Sequence, residues 1–152
     1  MITIGIRAAP KIVTYAIYDS SGPVVLNVEE IVVPKAFDTP DALKYVRSNL
    51  LDILRESRVE QAGIRATEPN AEHANIERIQ IEGVILEAFA SSDLKGYYIG
   101  HISSISARLG MDRNVFKPMV AGARDPGIEN WSSMSNVERE AILCAKGAAS
   151  NA

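Results

Sequence analysis

The sequence predicts a single α/β domain, residues 1–152, in which a five-stranded mixed sheet carries helices on both faces. Three strand-like segments separated only by short turns occupy residues 1–33, which is typical of antiparallel strands. Two later strand-like segments, 61–66 and 96–102, each follow a helical segment, which favours parallel strands. A chain of 152 residues is long enough for one domain with a substantial core.

The first strand, residues 1–9, is predicted to lie at the centre of the sheet. Strand periodicity divides its side chains between two faces, one with Ile2, Ile4 and Ile6 and the other with Thr3, Gly5 and Arg7. Turns at 8–11 and 19–23 lead to strands at 12–18 and 24–33, the latter with a bulge expected near Glu29 and Glu30. The first strand therefore ends in a charge where many α/β proteins place their chemistry.

An amphipathic helix is predicted to begin with Thr39 as N-cap, Pro40 in its first turn and an apolar stripe along its length. The fourth strand follows at 61–66. It repeats the pattern of the first strand, with Gly63-Ile64-Arg65 corresponding to Gly5-Ile6-Arg7. Both strands therefore place a glycine and an arginine on the same face.

The helix Asn75–Ala90 has an unusually wide apolar arc, which indicates either deep burial or a face shared with a second subunit. We expect a homodimer formed through this helix. One line of the arc contains Ile76, Ile79, Gly83, Leu86 and Ala90.

The remainder of the chain is predicted to be mainly helical. A fifth strand at 96–102 precedes a short helix capped by Ser103 or Ser104. Ser135 and Glu138 form a capping box that opens a last helix, reaching about residue 149. This helix has a narrow face of small side chains, which we expect to pack on the glycine-bearing face of the two central strands.

Composition narrows the classes of function. The net charge of −3 argues against nucleic-acid binding through bulk positive charge, although a local basic patch stays open. Cys144 is the one cysteine, which excludes an internal disulfide and a cysteine-cluster metal site. With no signal peptide or membrane span in the sequence, we expect a cytoplasmic protein.

The order of the elements and several motifs resemble the RuvC-type Holliday-junction resolvases, which have the ribonuclease H-like fold. Residues 4–9 resemble the opening strand of that family, and residues 62–65 resemble its fourth strand, which ends in a catalytic glutamate. Residues 79–85 are similar to a glycine-containing helix of the family. Further similar positions are Gly110-Met111-Asp112-Arg113, Met119-Val120, Val137 and Glu140-Ala141-Ile142.

The resemblance implies four carboxylates that hold divalent metal ions for phosphodiester hydrolysis. The corresponding positions here contain Arg7, Arg65, Val137 and Glu140, so one acid of the four is present. Guanidinium groups cannot coordinate Mg²⁺, which requires oxygen ligands. The sequence thus predicts a degenerate active site, with no metal and no cofactor.

The resemblance also places Arg7 and Arg65 side by side, where two interpretations stay open. In the first, the two arginines form an ion-pair cluster around Glu140, joined by Asp19 or Glu68. In the second, their guanidinium groups bind a phosphate or a nucleic-acid backbone through bidentate hydrogen bonds. In either case Arg7, Arg65 and Glu140 are the predicted binding residues.

Catalysis has few candidates, namely Glu140, Glu68 and the strand-end residue His101 as an acid–base group. The sequence favours a binding or structural protein that acts through a protein partner or by recognising nucleic-acid structure. The alternative is a Mg²⁺-dependent endonuclease that cuts branched DNA with displaced acids, drawn from Asp19, Glu68, Glu138 and Glu140.

Overall fold

The computed structural model describes residues 1–150. Its strands are β1 (Ile2–Ala9), β2 (Ile12–Asp19), β3 (Val24–Val32), β4 (Gln61–Arg65) and β5 (Gly96–Gly100). Its helices are α1 (Thr39–Glu56), α2 (Ile76–Ala90), α3 (Ile102–Arg108), α4 (Phe116–Val120) and α5 (Asn136–Ala148).

The strands form one mixed sheet in the order β3-β2-β1-β4-β5. β1 pairs antiparallel with β2 and parallel with β4, and β4 pairs parallel with β5. The predicted architecture of three antiparallel strands followed by two parallel ones is confirmed. In the β1–β4 register Gly5 lies opposite Gly63 and Ile6 opposite Ile64, so Arg7 and Arg65 leave the same edge of the sheet.

Each face of the sheet is covered by its own apolar core. The isoleucines of β1 and β4 pack with buried residues of α1 and α2 on one face. The other face packs mainly against α5, with contributions from α4 and from the buried side chain of Trp131. The helices therefore lie on both faces, as the sequence predicts.

Helix α5 lies directly on the glycine-bearing face of β1 and β4. A Cβ atom added at Gly5 would clash with the carbonyl oxygen of Ala141 and the backbone nitrogen of Ala145, and one at Gly63 would lie 2.9 Å from the Cys144 sulfur. The hydroxyl of Thr3 donates a hydrogen bond of 2.7 Å to the carbonyl oxygen of Ala145. Glycine is therefore required at position 5, where backbone meets backbone, and at position 63 the space of a Cβ is taken by the side chains of Tyr98 and Cys144.

Four local expectations are wrong. Asp38 caps α1, since its carboxylate accepts from the Asp41 amide at 3.2 Å, which makes Thr39 the first helical residue. The β3 bulge lies at Leu26, because Val25 pairs with Tyr18 and Asn27 with Ile17.

The other two errors concern β5 and the helix after it. β5 ends at Gly100, and His101 rather than a serine is the N-cap of α3. Ile102 begins α3. It was expected in the strand because β-branched and aromatic residues such as Ile102, Tyr97 and Tyr98 are typical of strands.

Deep burial does not account for the wide apolar arc of α2. Its buried residues are Ile81, Glu82, Ile85, Ala88 and Phe89. Ile76 and Ile79 are 73% and 45% exposed, and a Cβ at Gly83 would meet open space. Between residues 1 and 150, no helix combines the length and apolarity needed to cross a membrane.

Candidate functional site

Arg7 and Arg65 meet at the carboxyl ends of β1 and β4, where parallel strands bring successive chain segments to one edge. Glu140 of α5 lies between them, with one carboxylate oxygen directed to each guanidinium. Its Oε2 accepts a hydrogen bond of 2.5 Å from Nε of Arg65, and its Oε1 lies 3.5 Å from Nε of Arg7. The Arg65 and Glu140 side chains are only 10% and 12% exposed. This ion-pair geometry brings together all three predicted binding residues.

Glu68 is the second acid bound to Arg65. Its Oε2 accepts from Nη1 of Arg65 at 2.8 Å and from the backbone amide of Ile102 at 3.2 Å. The same Nη1 also donates to the carbonyl oxygen of Ala66, and the guanidinium lies 5.4 Å from the centre of the Phe116 ring. Arg65 is thus held by two carboxylates, a carbonyl and an aromatic ring.

A second ion pair borders the first, and the sequence reasoning missed it. Nε of Arg78 lies 2.9 Å from Oε2 of Glu82, which also accepts from the amide and hydroxyl of Thr67 at 2.9 and 3.0 Å. Nη2 of Arg78 donates to the carbonyl oxygen of Arg65. Burial, followed by repulsion from Arg7, lowers the pKa of Arg78. An Arg–Glu pair four residues apart in an otherwise apolar helical arc was the available signal.

Together these residues form a compact arginine–glutamate cluster across β1, β4, α2 and α5. We refer to it below as the arginine cluster. It has equal numbers of arginines and glutamates, so its formal charge is balanced. Its members are Arg7, Arg65, Arg78, Glu68, Glu82 and Glu140.

Asp19 is not part of the cluster, which corrects one of the two expected partners. It is the last residue of β2 and pairs with Ile2, because an antiparallel strand returns to the beginning of its neighbour. Its carboxylate lies 3.7 Å from the amino group of Met1, at the opposite edge of the sheet from Arg7.

Two other acid–base candidates have backbone or capping roles. The amide of His101 donates to the Ser104 hydroxyl at 2.8 Å, and His101 precedes the amide that binds Glu68. Glu138 accepts from the amide of Ser135 at 2.9 Å, which completes the predicted capping box and sets the start of α5. Between residues 1 and 150, no three His, Cys, Asp or Glu side chains are placed to hold a metal ion.

A groove opens from the arginine cluster towards solvent. One cavity of about 310 Å³ is lined by Arg65, Glu140, Phe116 and Lys117. A second, of about 330 Å³, is lined by Glu68, Arg113 and Lys117, and both cavities share Ile102. Neither Arg113 nor Lys117 has an ion-pair partner among the described residues. The groove is thus lined by the exposed basic side chains of Arg113 and Lys117 and by three members of the arginine cluster, Arg65, Glu68 and Glu140.

Solved structures of resolvases share this arrangement of elements. Thermus thermophilus RuvC aligns with a TM-score of 0.71 at 15% identity, over 98% of this chain and 93% of that chain. The fold is RuvC-like. RuvC of the same organism in complex with Holliday junction substrate gives the same values. The yeast mitochondrial Holliday junction resolvase aligns with a TM-score of 0.54 at 12% identity, over 95% of this chain and 76% of that chain.

No protein-family model and no curated protein matches the sequence. At these low identities the structural likeness establishes the fold, and the expected ribonuclease H-like arrangement is confirmed. The function of the RuvC-like fold in this chain has to be argued from its own residues.

Proposed function

We propose that this chain is a catalytically degenerate RuvC-like domain that binds branched nucleic acid without hydrolysing it. The supporting observation is the state of Glu140, whose two oxygens face the guanidiniums of Arg65 and Arg7 at 2.5 and 3.5 Å. In the resembling family this part of the sheet holds the metal-binding acids. Here it holds Arg7 and Arg65, with Glu140 between them and Glu68 on the other side of Arg65.

These residues do not fit a two-metal centre. Mg²⁺ takes near-octahedral oxygen ligands at about 2.0–2.1 Å, and paired ions in phosphoryl-transfer enzymes lie about 3.5–4 Å apart. Ions at the ends of β1 and β4 would have to displace two cationic side chains and compete with them for Glu140. We infer that the arginine cluster replaces the metal ions as the electrostatic link between β1, β4, α2 and α5.

The groove beside the cluster supports a nucleic-acid ligand. Arg113 and Lys117 lie four positions apart along its outer part, where they are available to neutralise phosphates. A solved RuvC with the same arrangement of elements is in complex with Holliday junction substrate. Because the net charge is −3, binding would depend on this local patch and weaken steeply with salt.

We also propose a homodimer formed through α2. Two further exposed apolar side chains lie on β5, where Tyr97 and Ile99 are about half exposed, and Tyr97 packs against the buried Phe89 of α2 with ring centres 5.7 Å apart. An apolar surface that spans a helix and a neighbouring strand is typical of a protein–protein contact. A two-fold dimer would present two basic grooves to the arms of one junction.

Fluorescence anisotropy with a labelled four-way DNA junction and a duplex of the same strands tests the proposal. We expect salt-dependent binding that favours the junction, and intact strands on a denaturing gel after incubation with Mg²⁺ or Mn²⁺. The double change Arg113→Glu and Lys117→Glu should abolish binding and leave the urea midpoint unchanged. Metal-dependent cleavage that disappears in Glu140→Gln, while circular dichroism shows that the variant stays folded, would instead establish the nuclease.

A further inference from the structure

Strand β3 leaves one edge of the sheet open. It is nine residues long and pairs only with β2, so alternate backbone N–H and C=O groups face away from the sheet. Leu26 and Val32 are 54% and 57% exposed, and Val24 is nearly as exposed. A long apolar edge of this kind invites pairing with another strand unless it is covered or charged.

A groove runs beside the first half of this edge, at the end of the sheet opposite the arginine cluster. Its cavity of about 510 Å³ has β3 residues 24–28 as one wall and the loop residues 127–130 as the other. Apolar side chains that are partly buried against the α5-side core also line it. These are Val25, Val28, Ile128 and Met134.

The loop wall is held in place by the protein itself. One carboxylate oxygen of Asp125 accepts from the amides of Gly127 and Ile128 at 2.8 and 3.0 Å. The buried guanidinium of Arg139 donates to the carbonyl oxygens of Trp131 and Ser132 at 2.9 and 3.0 Å. A ligand would enter a preformed groove, which reduces the entropy lost on binding.

In the segments that contain the two walls, the exposed charged side chains are acidic, whereas Arg139, which holds the loop wall, is buried. Segments 19–30 and 125–134, which include both walls, contain no lysine or arginine, although the chain has 16 such residues. The same segments contain five acids, of which Asp19 lies 3.7 Å from the Met1 amino group and Glu29 accepts a hydrogen bond from the Tyr15 hydroxyl. The other three are Glu30, Asp125 and Glu129.

We propose that this groove binds an extended peptide segment of a partner protein, with apolar and basic residues in alternation, as an additional strand on β3. Backbone hydrogen bonds to the open edge would supply affinity, and the acidic surroundings would select for basic residues. A second copy of this chain fits less well, because pairing β3 with itself would bring Glu29 and Glu30 of both copies close together.

The site is independent of the proposed nucleic-acid groove. Val24 pairs with Asp19, which in turn pairs with Ile2, whereas Arg7 lies towards the other end of β1. A peptide on β3 therefore leaves the arginine cluster open, and the Arg113→Glu, Lys117→Glu variant should bind peptide normally.

The probes are two labelled nine-residue peptides, one alternating lysine with valine and the other alternating glutamate with valine. We expect the lysine peptide to bind at least about tenfold more tightly, a difference of about 1.4 kcal/mol. It should slow amide hydrogen exchange in residues 22–28, because unpaired edge amides exchange readily. The double change Glu30→Lys and Glu129→Lys should reverse the preference. Both side chains are exposed.

The matched control is Glu72→Lys, which makes the same change of charge at an exposed loop position away from the groove. It should leave the preference for the lysine peptide intact. Equal binding of the two peptides, binding of neither up to about 1 mM, or protection confined to another segment would overturn the proposal. So would protection of residues 22–28 that rises with protein concentration alone, because the occupant would then be a second copy.

Discussion

Nε of Arg65 lies 2.5 Å from Oε2 of Glu140, although 75 positions separate the two residues in the chain. The contact joins the end of β4 to the second turn of α5, and both side chains are largely buried. The cost of removing one partner is therefore set by the charge left behind, rather than by the modest net gain of an ordinary ion pair.

Glu140→Gln should reduce the free energy of unfolding by about 3–5 kcal/mol, because it leaves Arg65 and Arg7 without their shared anion. Urea unfolding measures the change. The matched control is Glu87→Gln, whose partner Arg47 forms an exposed pair, and its urea midpoint should stay unchanged. A loss below about 1 kcal/mol in Glu140→Gln would contradict a buried arginine cluster.

Gly5→Ala should unfold the protein or destabilise it by several kcal/mol, on the order of an overpacked core. The added Cβ would meet the backbone of α5 at Ala141 and Ala145, which cannot move aside as a flexible side chain would. Gly83→Ala is the comparison, since its Cβ meets nothing within 4 Å and lies in a helix. It should stabilise by roughly 1 kcal/mol. The melting temperatures of both variants measure these changes in stability.

Stability should fall at alkaline pH partly because of Cys144. Burial raises the pKa of its thiol to about 12, against about 8.5 in an unfolded chain. Between these values the unfolded state binds fewer protons than the native state, so the free energy of unfolding decreases as pH rises. The protonated thiol contributes fully to the free energy of unfolding below about pH 8.5, and about 2 kcal/mol of that contribution is lost by pH 10.

The variant Cys144→Ala isolates this effect. Any cavity that it creates lowers stability equally at pH 8 and pH 10, so only the difference between the two pH values matters. Urea unfolding should show that the free energy of unfolding falls by about 2 kcal/mol less between pH 8 and pH 10 in the variant than in the original chain. Equal differences would mean that the thiol is not protected from ionisation in the native state.

Ile79→Glu should convert the proposed dimer into a monomer, because it places a charge in the exposed line of α2. Sedimentation velocity measures the change, and a circular dichroism spectrum confirms that the monomer stays folded. Val32→Glu introduces the same charge at a similarly exposed position of β3, outside the exposed line of α2, and should leave the dimer intact. A dimer that persists in Ile79→Glu would place the subunit contact elsewhere.

Arg7→Asp should not generate metal-dependent cleavage. The change adds one carboxylate, but Arg65 still occupies Glu140 at 2.5 Å and Val137 offers no ligand. A denaturing gel of a four-way junction incubated with Mg²⁺ measures the outcome. Cutting by this single variant would show that fewer acids are needed than the resemblance implies.

Much of the fold follows from short-range pattern. The alternating isoleucines of β1, the repeated Gly-Ile-Arg of β4 and the Ser135–Glu138 capping box each predict an element that the structure contains. Element ends were less predictable, because they depend on which group finds a hydrogen bond. Asp38, for example, caps α1 one residue before the expected threonine.

Part of the site was predictable for the same reason. Arg7, Arg65 and Glu140 stand at strand ends and on the small face of α5, positions that the topology brings together. Arg78 and Glu82 were missed because an apolar-periodicity argument gives no weight to charges within an apolar arc. Asp19 was wrongly included, although the predicted antiparallel pairing already places the end of the second strand beside the beginning of the first.

The hydrogen bond from Thr3 to Ala145 spans 142 positions, which has a consequence for synthesis on the ribosome. β1 leaves the exit tunnel early, but the helix that covers its glycine face is translated more than 120 residues later. At about 5–20 residues per second, the strand stays uncovered for several seconds or longer. Arrested chains that stop before α5 should therefore engage chaperones through β1, and chains extended beyond α5 should release them.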